Sequence, residues 1–369
     1  MKTVILGGYG NFGARIARAL AHDPAIELLI AGRDAHQASK LAGEVGGQPM
    51  VVDLGAHDLA ERLRALGTGL VIHTAGPFQG QDFAVARACA AAGAHYVDLA
   101  DSRRFVCDFG GLLAGDFVRA ERVAITGAST LPALSTAVID ALRLQFEHIE
   151  TIHICIAPAQ KAPRGVATLA AVLSYCGKPV RVWQGGRWLA EPGWSAPVEE
   201  HFARMPPRLG ALCDVPDLEL LPERYAGVQT ARFHAALEVG LAQRSFAAVA
   251  WLTRRGFIRS PQKLAGLIQR VAPIADGWGT DEGGMVVRLS GQGMDGQPRR
   301  VSWHLTAGGN HGPEIPCMAA TLLARRLAAG EPFAPGARAC MGMLRLDEFT
   351  PDFERWGMVT DTLVEQGGA

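Results

Sequence analysis

Apolar residues follow two different patterns along this chain of 369 residues. In the first 130 residues, short apolar runs alternate with segments in which apolar residues recur every three or four positions. Such runs are typical of buried strands, and the longer period is typical of amphipathic helices. This alternation predicts a parallel α/β sheet. The predicted strands span residues 3–6, 26–34, 49–54, 69–78, 94–101 and 122–129, and two of the predicted helices span 12–21 and 83–93.

From about residue 149 the pattern changes to alternating apolar runs that predict hairpins. One hairpin spans 178–190 with a Gly-Gly turn at 185–186, and another spans 284–309 with an Asp-Gly turn at 295–296. We therefore predict a second, α+β domain with an open antiparallel or mixed sheet and helices on one face. The helices are predicted near 165–177 and 241–272, and 191–224 is predicted to be a long irregular excursion, either a lid or surface padding.

Composition and charge narrow the class of protein. Hydrophobic residues make up 49% of the chain, and Lys+Arg and Asp+Glu number 36 each. The balance gives no indication of a nucleic-acid partner. Seven cysteines without a CxxC pair argue against disulfides and clustered zinc, and predict a reducing cytoplasm. We expect no signal peptide and no integral membrane segment, although the apolar, arginine-flanked stretch 244–261 fits either a core helix or a membrane-surface helix.

The stretch GGYGNFG, residues 7–13, lies between the first predicted strand and the first predicted helix. Its glycines have the G-x-G-x-x-G spacing of the Rossmann dinucleotide-binding loop, in which the helix N-terminus binds pyrophosphate. A glycine-rich turn without a ligand is the alternative. The candidate cofactor contacts here are Gly8, Tyr9, Gly10, Asn11, Phe12 and Gly13.

The end of the second predicted strand bears on the choice of cofactor. NAD sites usually place a carboxylate there, on the ribose 2′-hydroxyl. This strand ends Ala31-Gly32-Arg33, and a guanidinium at that position can pair with a 2′-phosphate. Asp34 competes as a ribose ligand, but DAHQ is a capping pattern and we interpret Asp34 as a helix cap. The sequence therefore favours NADP(H), with Lys40 either adding charge or lying in solvent.

Other candidate cofactor contacts follow later strands, because ligands of such sheets lie beyond the carboxyl ends of strands. Asp53 could bind the adenine amino group or cap the next helix. Ser129 could reach the nicotinamide or the substrate. Ala75, Gly76 and Pro77 lie where a nicotinamide ribose would pass.

Several motifs together resemble the saccharopine dehydrogenase-like NADP-binding proteins: GGYGNFG, AGR, TAGPF, ACAAAGAHYVDLAD and GASTLPALS. A looser resemblance covers 311–331, which is similar to a helix that returns to the nucleotide domain. The resemblance implies a Rossmann domain over 1–130 and about 311–369, with an inserted domain at 131–310. It also implies an NADP-linked oxidoreductase acting on a carbon–nitrogen or carbon–carbon bond of a small metabolite held in the interdomain cleft, and a homodimer.

Catalytic residues are harder to predict, because hydride transfer is the chemistry of the cofactor. Asp98 matches the resemblance and is a candidate acid or base, with loop orientation as its other role. His304 and His311 are candidate proton carriers, since imidazole titrates near neutral pH. No motif predicts a metal site. If the substrate carries carboxylates, the candidate cations are Arg103, Arg104, Lys161 and Arg164.

Two alternatives to this oxidoreductase stay open. The chain could bind NADP without turnover, as a sensor or a membrane-associated scaffold. It could also be an enoyl reductase with an apolar cleft, which the aromatic residues of the second domain permit. These aromatics are Trp183, Trp188, Trp194, Phe202, Phe246 and Trp251.

Overall fold

The computed structural model describes residues 1–163 and 165–366. Contacts divide the chain into two units: Met1–Leu134 with Pro313–Leu344, and Ser135–Gly312 with the chain from Arg345 onward. The family resemblance predicts that the chain after about residue 311 belongs to the dinucleotide-binding domain. In the structure, only 313–344 lie in that unit, and the carboxyl-terminal strand joins the other.

Strands and helices follow one another along both units. The strands are β1 (Lys2–Leu6), β2 (Glu27–Gly32), β3 (Gln48–Val51), β4 (Leu70–His73), β5 (His95–Asp98), β6 (Val123–Thr126), β7 (Phe146–Ala157), β8 (Pro179–Gln184), β9 (Arg187–Pro192), β10 (Val198–Glu200), β11 (Arg208–Leu212), β12 (Thr230–Leu237), β13 (Gly283–Gly293), β14 (Pro298–Ala307), β15 (Gly336–Ala339) and β16 (Val359–Gln366). The helices are α1 (Asn11–Leu20), α2 (Ala35–Val45), α3 (Leu59–Ala65), α4 (Ala84–Ala92), α5 (Arg103–Arg119), α6 (Ser135–Leu142), α7 (Val166–Ser174), α8 (Asp217–Arg224), α9 (Gly240–Arg254), α10 (Ala265–Val271), α11 (Ile315–Ala328) and α12 (Thr350–Arg355).

The first unit is a seven-stranded parallel sheet in the order β15-β6-β5-β4-β1-β2-β3. The chain reverses its direction of travel across the sheet between β1 and β4, which is where doubly wound sheets bind ligands. The predicted α/β fold class, a Rossmann sheet with an α+β second domain, is confirmed.

Packing explains why the predicted strands form the centre of this sheet. Ile5, Ile30 and Ile72 on three neighbouring strands are fully buried. Helix α1 buries Ile16, Ala17 and Leu20, one stripe at helical spacing. Helix α11 contacts α1, and the Arg325 guanidinium donates to the Ala19 carbonyl at 2.9 Å. A helix from late in the chain thus completes the first unit.

The second unit is a nine-stranded mixed sheet. Its main path is β10-β11-β12-β7-β13-β14-β16, with β8 paired to β12 and β9 to β8. Only β12 and β7 are parallel neighbours in the described part of this sheet. Both predicted hairpins are present: Gly185 and Gly186 have φ of 59° and 72° in the β8–β9 turn, and Gly296 has φ of 76° in the β13–β14 turn. Glycine suits these turns because they need positive φ.

One expectation for the second unit requires correction. The stretch 191–224, predicted to be irregular, contains β10, β11 and α8. Within 244–261, which fits either a core helix or a membrane-surface helix, α9 buries Phe246 and Ala250 but leaves Trp251 half exposed. Among the helices described, none has both the length and the apolar character needed to cross a bilayer.

Candidate functional site

The glycine-rich loop between β1 and α1 is fastened to the end of β2 by backbone hydrogen bonds. The N–H groups of Gly7 and Gly8 donate to the Ala31 carbonyl at 2.9 and 3.0 Å. Gly7 has φ of 76°, which favours glycine, and the Gly10 N–H donates back to the Gly7 carbonyl at 2.8 Å. The loop therefore keeps its shape through main-chain contacts.

The glycines of the motif serve different purposes. A Cβ at Gly8 would lie 2.8 Å from the Ile5 carbonyl, and one at Gly13 would lie 2.3 Å from the Gly7 carbonyl. Both positions therefore exclude side chains for packing reasons. At Gly10, which is exposed, the described part of the chain brings only the Gly7 carbonyl, at 3.0 Å, within 4 Å of such a Cβ. Gly10 leaves the loop open for a ligand to approach the backbone.

Helix α1 begins directly after this opening. Its N-cap, Gly10, provides no side-chain hydrogen bond, so the first-turn N–H groups receive no side-chain cap from that residue and suit a phosphate. The Asn11 side chain accepts a hydrogen bond from Arg15 at 3.1 Å. The Phe12 carbonyl accepts one from the Cys317 thiol at 3.6 Å, which joins α1 to α11.

Tyr9 covers the end of β2. A Cβ on Gly32 would lie 2.3 Å from the Tyr9 ring, so the ring packs directly against the glycine backbone. The Tyr9 hydroxyl accepts a hydrogen bond from the Asp34 N–H at 2.9 Å. Arg33, which lies between Gly32 and Asp34 in the chain, is exposed. Among the described residues its guanidinium makes no hydrogen bond or ion pair. Arg33 is therefore available to a ligand.

Asp34 is the N-cap of α2, as interpreted from the sequence. Its carboxylate accepts hydrogen bonds from the N–H groups of His36 and Gln37 at 2.9 and 3.1 Å, and from the Gln37 side chain at 3.1 Å. These hydrogen bonds, the Gln37 N–H first, lower the pKa of Asp34. The carboxylate nearest the end of β2 is thus already engaged in capping.

A shallow groove separates α1 from α2 beside this strand end. Tyr9, His36, Gln37 and Lys40 are among the residues that line it. Lys40, for which the sequence left two roles open, therefore lies on the same groove as Tyr9. The groove offers an aromatic ring and an ammonium group, and the Tyr9 hydroxyl in it accepts a hydrogen bond from Asp34, the residue that follows Arg33.

The loop after β4 also belongs to this edge of the sheet. The Thr74 hydroxyl donates to the Leu6 carbonyl at 2.9 Å, and a Cβ on Gly7 would lie 3.0 Å from Ala75. Beyond Ala75, Gly76 and Pro77 are exposed and are joined by a cis peptide bond. The structure therefore brings Ala75, the first of the predicted contacts at 75–77, next to the glycine loop.

The remaining two predicted cofactor contacts lie after β3 and β6. Asp53 is exposed and accepts a hydrogen bond from the Gly55 N–H at 2.9 Å, which closes a local turn. Ser129 is buried and its N–H donates to the Gly127 carbonyl at 2.8 Å. Both residues are engaged in their own loops.

Asp98 is fully buried and connects β5 to β6. Its Oδ1 accepts hydrogen bonds from the Ala100 and Gly127 N–H groups at 2.9 and 2.8 Å, and from the Thr126 hydroxyl at 2.9 Å. Burial raises the pKa of Asp98 to about 6 despite these hydrogen bonds. This geometry favours loop orientation, one of the two roles that the sequence left open.

A buried polar pair beside Asp98 is not predicted by the sequence pattern. His73 Nδ1 lies 3.0 Å from the Tyr96 hydroxyl, and both residues are at most 1% exposed. Burial lowers the pKa of His73 to about 4, so the imidazole is neutral. The sequence shows only a histidine at the end of an apolar run. Its partner lies 23 residues away on the next strand, so local spacing does not indicate the pair.

The other predicted catalytic residues belong to the second unit. His304 is 5% exposed; its Nδ1 accepts from the Ala203 N–H at 3.2 Å and its Nε2 lies 2.9 Å from the Ser302 hydroxyl. Burial lowers the pKa of His304. The half-buried His311 ring packs against Trp356 at 4.8 Å. Both histidines have protein contacts that hold their rings.

The candidate cations have different environments. Arg103 is buried, and Arg104 forms an ion pair with Asp108 at 3.2 Å on an exposed face of α5. Lys161 is exposed. Arg164 lies outside the described residues. The described members of this set do not show a common site.

A cluster of two histidines and a glutamate, which the sequence pattern does not predict, lies on the mixed sheet. His153, Glu200 and His234 place their ligand atoms within 4.8 Å of one another. They come from β7, β10 and β12, so no local spacing along the chain indicates them.

The fold and the β1–α1 loop define a dinucleotide-binding domain of the Rossmann class. Residues 3–124 match the family model of the saccharopine dehydrogenase NADP binding domain. The amino-terminal domain of this chain therefore belongs to the saccharopine dehydrogenase-like NADP-binding family, and the resemblance predicted from the sequence is confirmed. No curated protein matches the sequence significantly.

Two solved structures share the fold over nearly the whole chain. One is apo saccharopine dehydrogenase (L-Glu forming) from Saccharomyces cerevisiae, with a TM-score of 0.70, 12% identity and 99% of each chain covered. The other is homospermidine synthase from Legionella pneumophila in complex with NAD, with a TM-score of 0.64, 11% identity, and 99% of this chain and 91% of that chain covered. At this identity the likeness concerns the fold.

Proposed function

We propose that this protein is an NADP(H)-dependent oxidoreductase that transfers hydride to or from a carbon–nitrogen or carbon–carbon bond of a small metabolite. The observation that carries the choice of cofactor is the exposed Arg33 at the end of β2, whose guanidinium has no partner among the described residues. Hydride transfer is the chemistry of the nicotinamide, and the protein supplies binding, orientation and exclusion of water.

The residues at the end of β2 fit a 2′-phosphate better than a free ribose 2′-hydroxyl. A ribose would need a carboxylate acceptor, and Asp34 already accepts three hydrogen bonds within α2. A 2′-phosphate needs cations, which Arg33 can provide with a bidentate guanidinium and Lys40 with an ammonium group. The two requirements favour NADP(H) over NAD(H).

The glycine loop would hold the pyrophosphate in this proposal. Its backbone is open at Gly10, and α1 offers first-turn N–H groups that its N-cap residue leaves without a side-chain partner. The nicotinamide ribose would pass alongside Ala75, Gly76 and Pro77, as predicted from the sequence.

The cytoplasmic location and the homodimer remain predictions.

Arg33→Ala tests the choice of cofactor. We expect it to weaken NADPH binding by about 1.5–3 kcal/mol, the value of a charge-assisted hydrogen bond, and to leave NADH binding almost unchanged. Fluorescence titration of the reduced cofactors measures both affinities. Arg119→Ala, which removes a 74% exposed side chain from α5, is the matched control and should change neither. Equal affinity of the unaltered protein for NADPH and NADH would contradict the proposal.

A non-catalytic NADP-binding protein is the second candidate function. The observation that favours it is that Asp98 and His304, two predicted proton carriers, are buried and hydrogen-bonded within the protein. A panel of imines, enones and keto acids distinguishes the candidates. Oxidation of bound NADPH by any member supports the oxidoreductase, and binding without turnover across the panel supports the sensor.

The aromatic residues of the second unit do not favour an enoyl reductase. Trp194 is 2% exposed and packs on Phe246 at 4.8 Å, which places both in the interior. Trp183 and Trp188 pack on each other at 5.1 Å across the β8–β9 hairpin. These rings therefore stabilise the second unit and give no support for an apolar cleft.

A further inference from the structure

Three side chains from three strands converge on one face of the mixed sheet. Glu200 Oε1 lies 2.8 Å from His153 Nε2 and 2.6 Å from His234 Nδ1. His153 is on β7 and His234 on the parallel neighbour β12, where Arg232 pairs with His153. Because side chains alternate between the faces of a sheet, His153 and His234 point to the same side. The two imidazoles are therefore held by rigid strands.

Glu200 reaches these histidines from the edge of the sheet because a glycine lies on the strand between them. Its own strand, β10, is separated from β12 by β11. A Cβ on Gly210 of β11 would lie 2.8 Å from Glu200 Cγ and 3.3 Å from His234 Cβ. Any larger residue at 210 would block the path of the carboxylate. The cluster thus depends on a small residue in the middle of a strand.

Arg288 fixes the direction of the carboxylate. Its Nη1 donates to Glu200 Oε2 at 2.8 Å, and its Nη2 donates to the His201 carbonyl. Oε2 is therefore occupied, and Oε1 faces the two ring nitrogens. Metal-ligating carboxylates are commonly held in this way by an outer hydrogen-bonding partner.

We propose that His153, Glu200 and His234 form a binding site for one divalent transition metal ion of the zinc class. Two histidines and one carboxylate are a common ligand set for Zn²⁺, with a fourth position left for water or substrate. Metal–ligand bonds of about 2.0–2.2 Å would need ligand atoms about 3–3.5 Å apart. The Glu200 contacts must therefore open by less than about 1 Å, and the widest separation among the three ligand atoms, at most 4.8 Å, must close by up to about 1.8 Å. The His153 side chain is 19% exposed, which gives the site a route to solvent.

The competing explanation is a hydrogen-bonded cluster without a metal. In that case Glu200 would simply neutralise Arg288 and accept hydrogen bonds from the two imidazoles. The proposal rests on the second unit alone, so it does not depend on the choice of cofactor. The two explanations differ in a measurable quantity: a metal site binds one equivalent of metal ion per chain, and a purely structural cluster binds none.

The experiment is titration of the full-length protein, without a polyhistidine tag, with Co²⁺ as a spectroscopic probe and then with Zn²⁺. We expect one equivalent of Co²⁺, visible d–d absorption, and displacement by Zn²⁺. Glu200→Gln should lower the affinity for Co²⁺ more than about tenfold, because it removes a direct ligand and even outer-shell changes cost about 10–100-fold. His234→Ala should do the same.

His201→Ala is the matched control. His201 neighbours Glu200 in sequence, is 69% exposed and pairs with Glu199 at 3.2 Å, so its loss should leave the titration unchanged. Circular dichroism checks that each variant folds. If Glu200→Gln fails to fold, the unaltered protein still decides: less than about 0.1 equivalent of tightly bound Co²⁺ and Zn²⁺ overturns the proposal. An unchanged titration in a folded Glu200→Gln variant overturns it as well.

Discussion

The glycine loop of the first unit and the His153–Glu200–His234 cluster of the second are built in opposite ways. The loop uses main-chain groups, its own and the Ala31 carbonyl, and four of its seven residues are glycines without side chains. The cluster uses side chains spread over 82 positions along the chain, and its backbone is ordinary sheet. A backbone site of this kind is sensitive to an added methyl group, whereas a side-chain site is sensitive to the removal of a single charge.

Loss of the central charge should produce the largest effect. Glu200→Ala leaves Arg288 and two imidazoles without their acceptor, and removing one partner of a buried ion pair typically costs about 3–5 kcal/mol. Arg288 is 30% exposed, so we expect about 3 kcal/mol less free energy of unfolding for the second unit. Denaturation followed by tryptophan fluorescence measures this, because all seven tryptophans lie in that unit.

Glu199→Ala is the control for that substitution. Glu199 is 62% exposed, so its loss should change the free energy of unfolding by no more than about 0.5 kcal/mol. Similar losses for Glu199→Ala and Glu200→Ala would show that the cluster does not stabilise the sheet.

An added methyl group in the glycine loop should have the next largest effect. Gly13→Ala places a Cβ 2.3 Å from the Gly7 carbonyl, and overpacking of this kind costs about 1–3 kcal/mol. Because the loop must shift, NADPH affinity should fall as well. Urea denaturation followed by far-ultraviolet circular dichroism and NADPH titration provide the two measurements.

Gly43→Ala gives a control of opposite sign. Gly43 lies inside α2, and apart from the backbone of that helix no heavy atom of the described chain comes within 4 Å of where its Cβ would lie. Alanine should therefore stabilise the helix by about 0.5–1 kcal/mol. NADPH affinity should stay the same. If Gly13→Ala binds NADPH normally, the glycine loop does not position the cofactor.

The stability of the second unit should depend on pH more strongly than that of the first. Burial raises the pKa of Asp217 to about 7, and its Oδ2 accepts from the Ser135 hydroxyl at 2.6 Å. The folded state therefore retains a proton that the unfolded state releases, so this group stabilises at low pH and the benefit is lost as pH rises through about 7. Between pH 7 and pH 5 the gain is about 2 kcal/mol.

Asp217→Asn should remove that gain, as measured by urea denaturation at both pH values with tryptophan fluorescence. Asp295→Asn is the control: hydrogen bonds, first from the Gln297 N–H, lower the pKa of Asp295, so it is ionised in both states between pH 5 and 7. An unchanged pH slope in Asp217→Asn would show that Asp217 is ionised in the folded protein.

The smallest expected effect lies in the first unit. Burial raises the pKa of Asp98 to about 6, so this group too makes the folded state more stable at low pH. Between pH 7 and pH 5 the free energy of unfolding should rise by about 1 kcal/mol. Asp98→Asn keeps an acceptor for the Gly127 N–H and should abolish the gain. Tryptophan fluorescence does not report on this unit, so amide hydrogen exchange of β4–β6 is the measurement. If the pH dependence of exchange were the same with and without Asp98→Asn, the assignment of this gain to Asp98 would be wrong.

Contiguous features were predictable from the sequence. The glycine loop, the capping by Asp34 and the two hairpin turns each depend on residues within about seven positions of one another. Local sterics and hydrogen bonding decide such features, so the residue types alone indicate them. The strands β10 and β11 were missed because the prolines and arginines around them do not form an alternating pattern.

The sequence by itself determined the parallel sheet, the dinucleotide loop and the missing carboxylate at the end of β2. All three depend on the types and spacing of residues that are close together in the chain. Only the tertiary structure decided that β16 joins the second sheet, that Tyr96 meets His73, and that Glu200 crosses Gly210 to reach two histidines. Those contacts depend on which strands become neighbours and in which register. The pairing and register of strands are set by the burial of whole faces of the sheet, and no single stretch of the chain is enough to predict them.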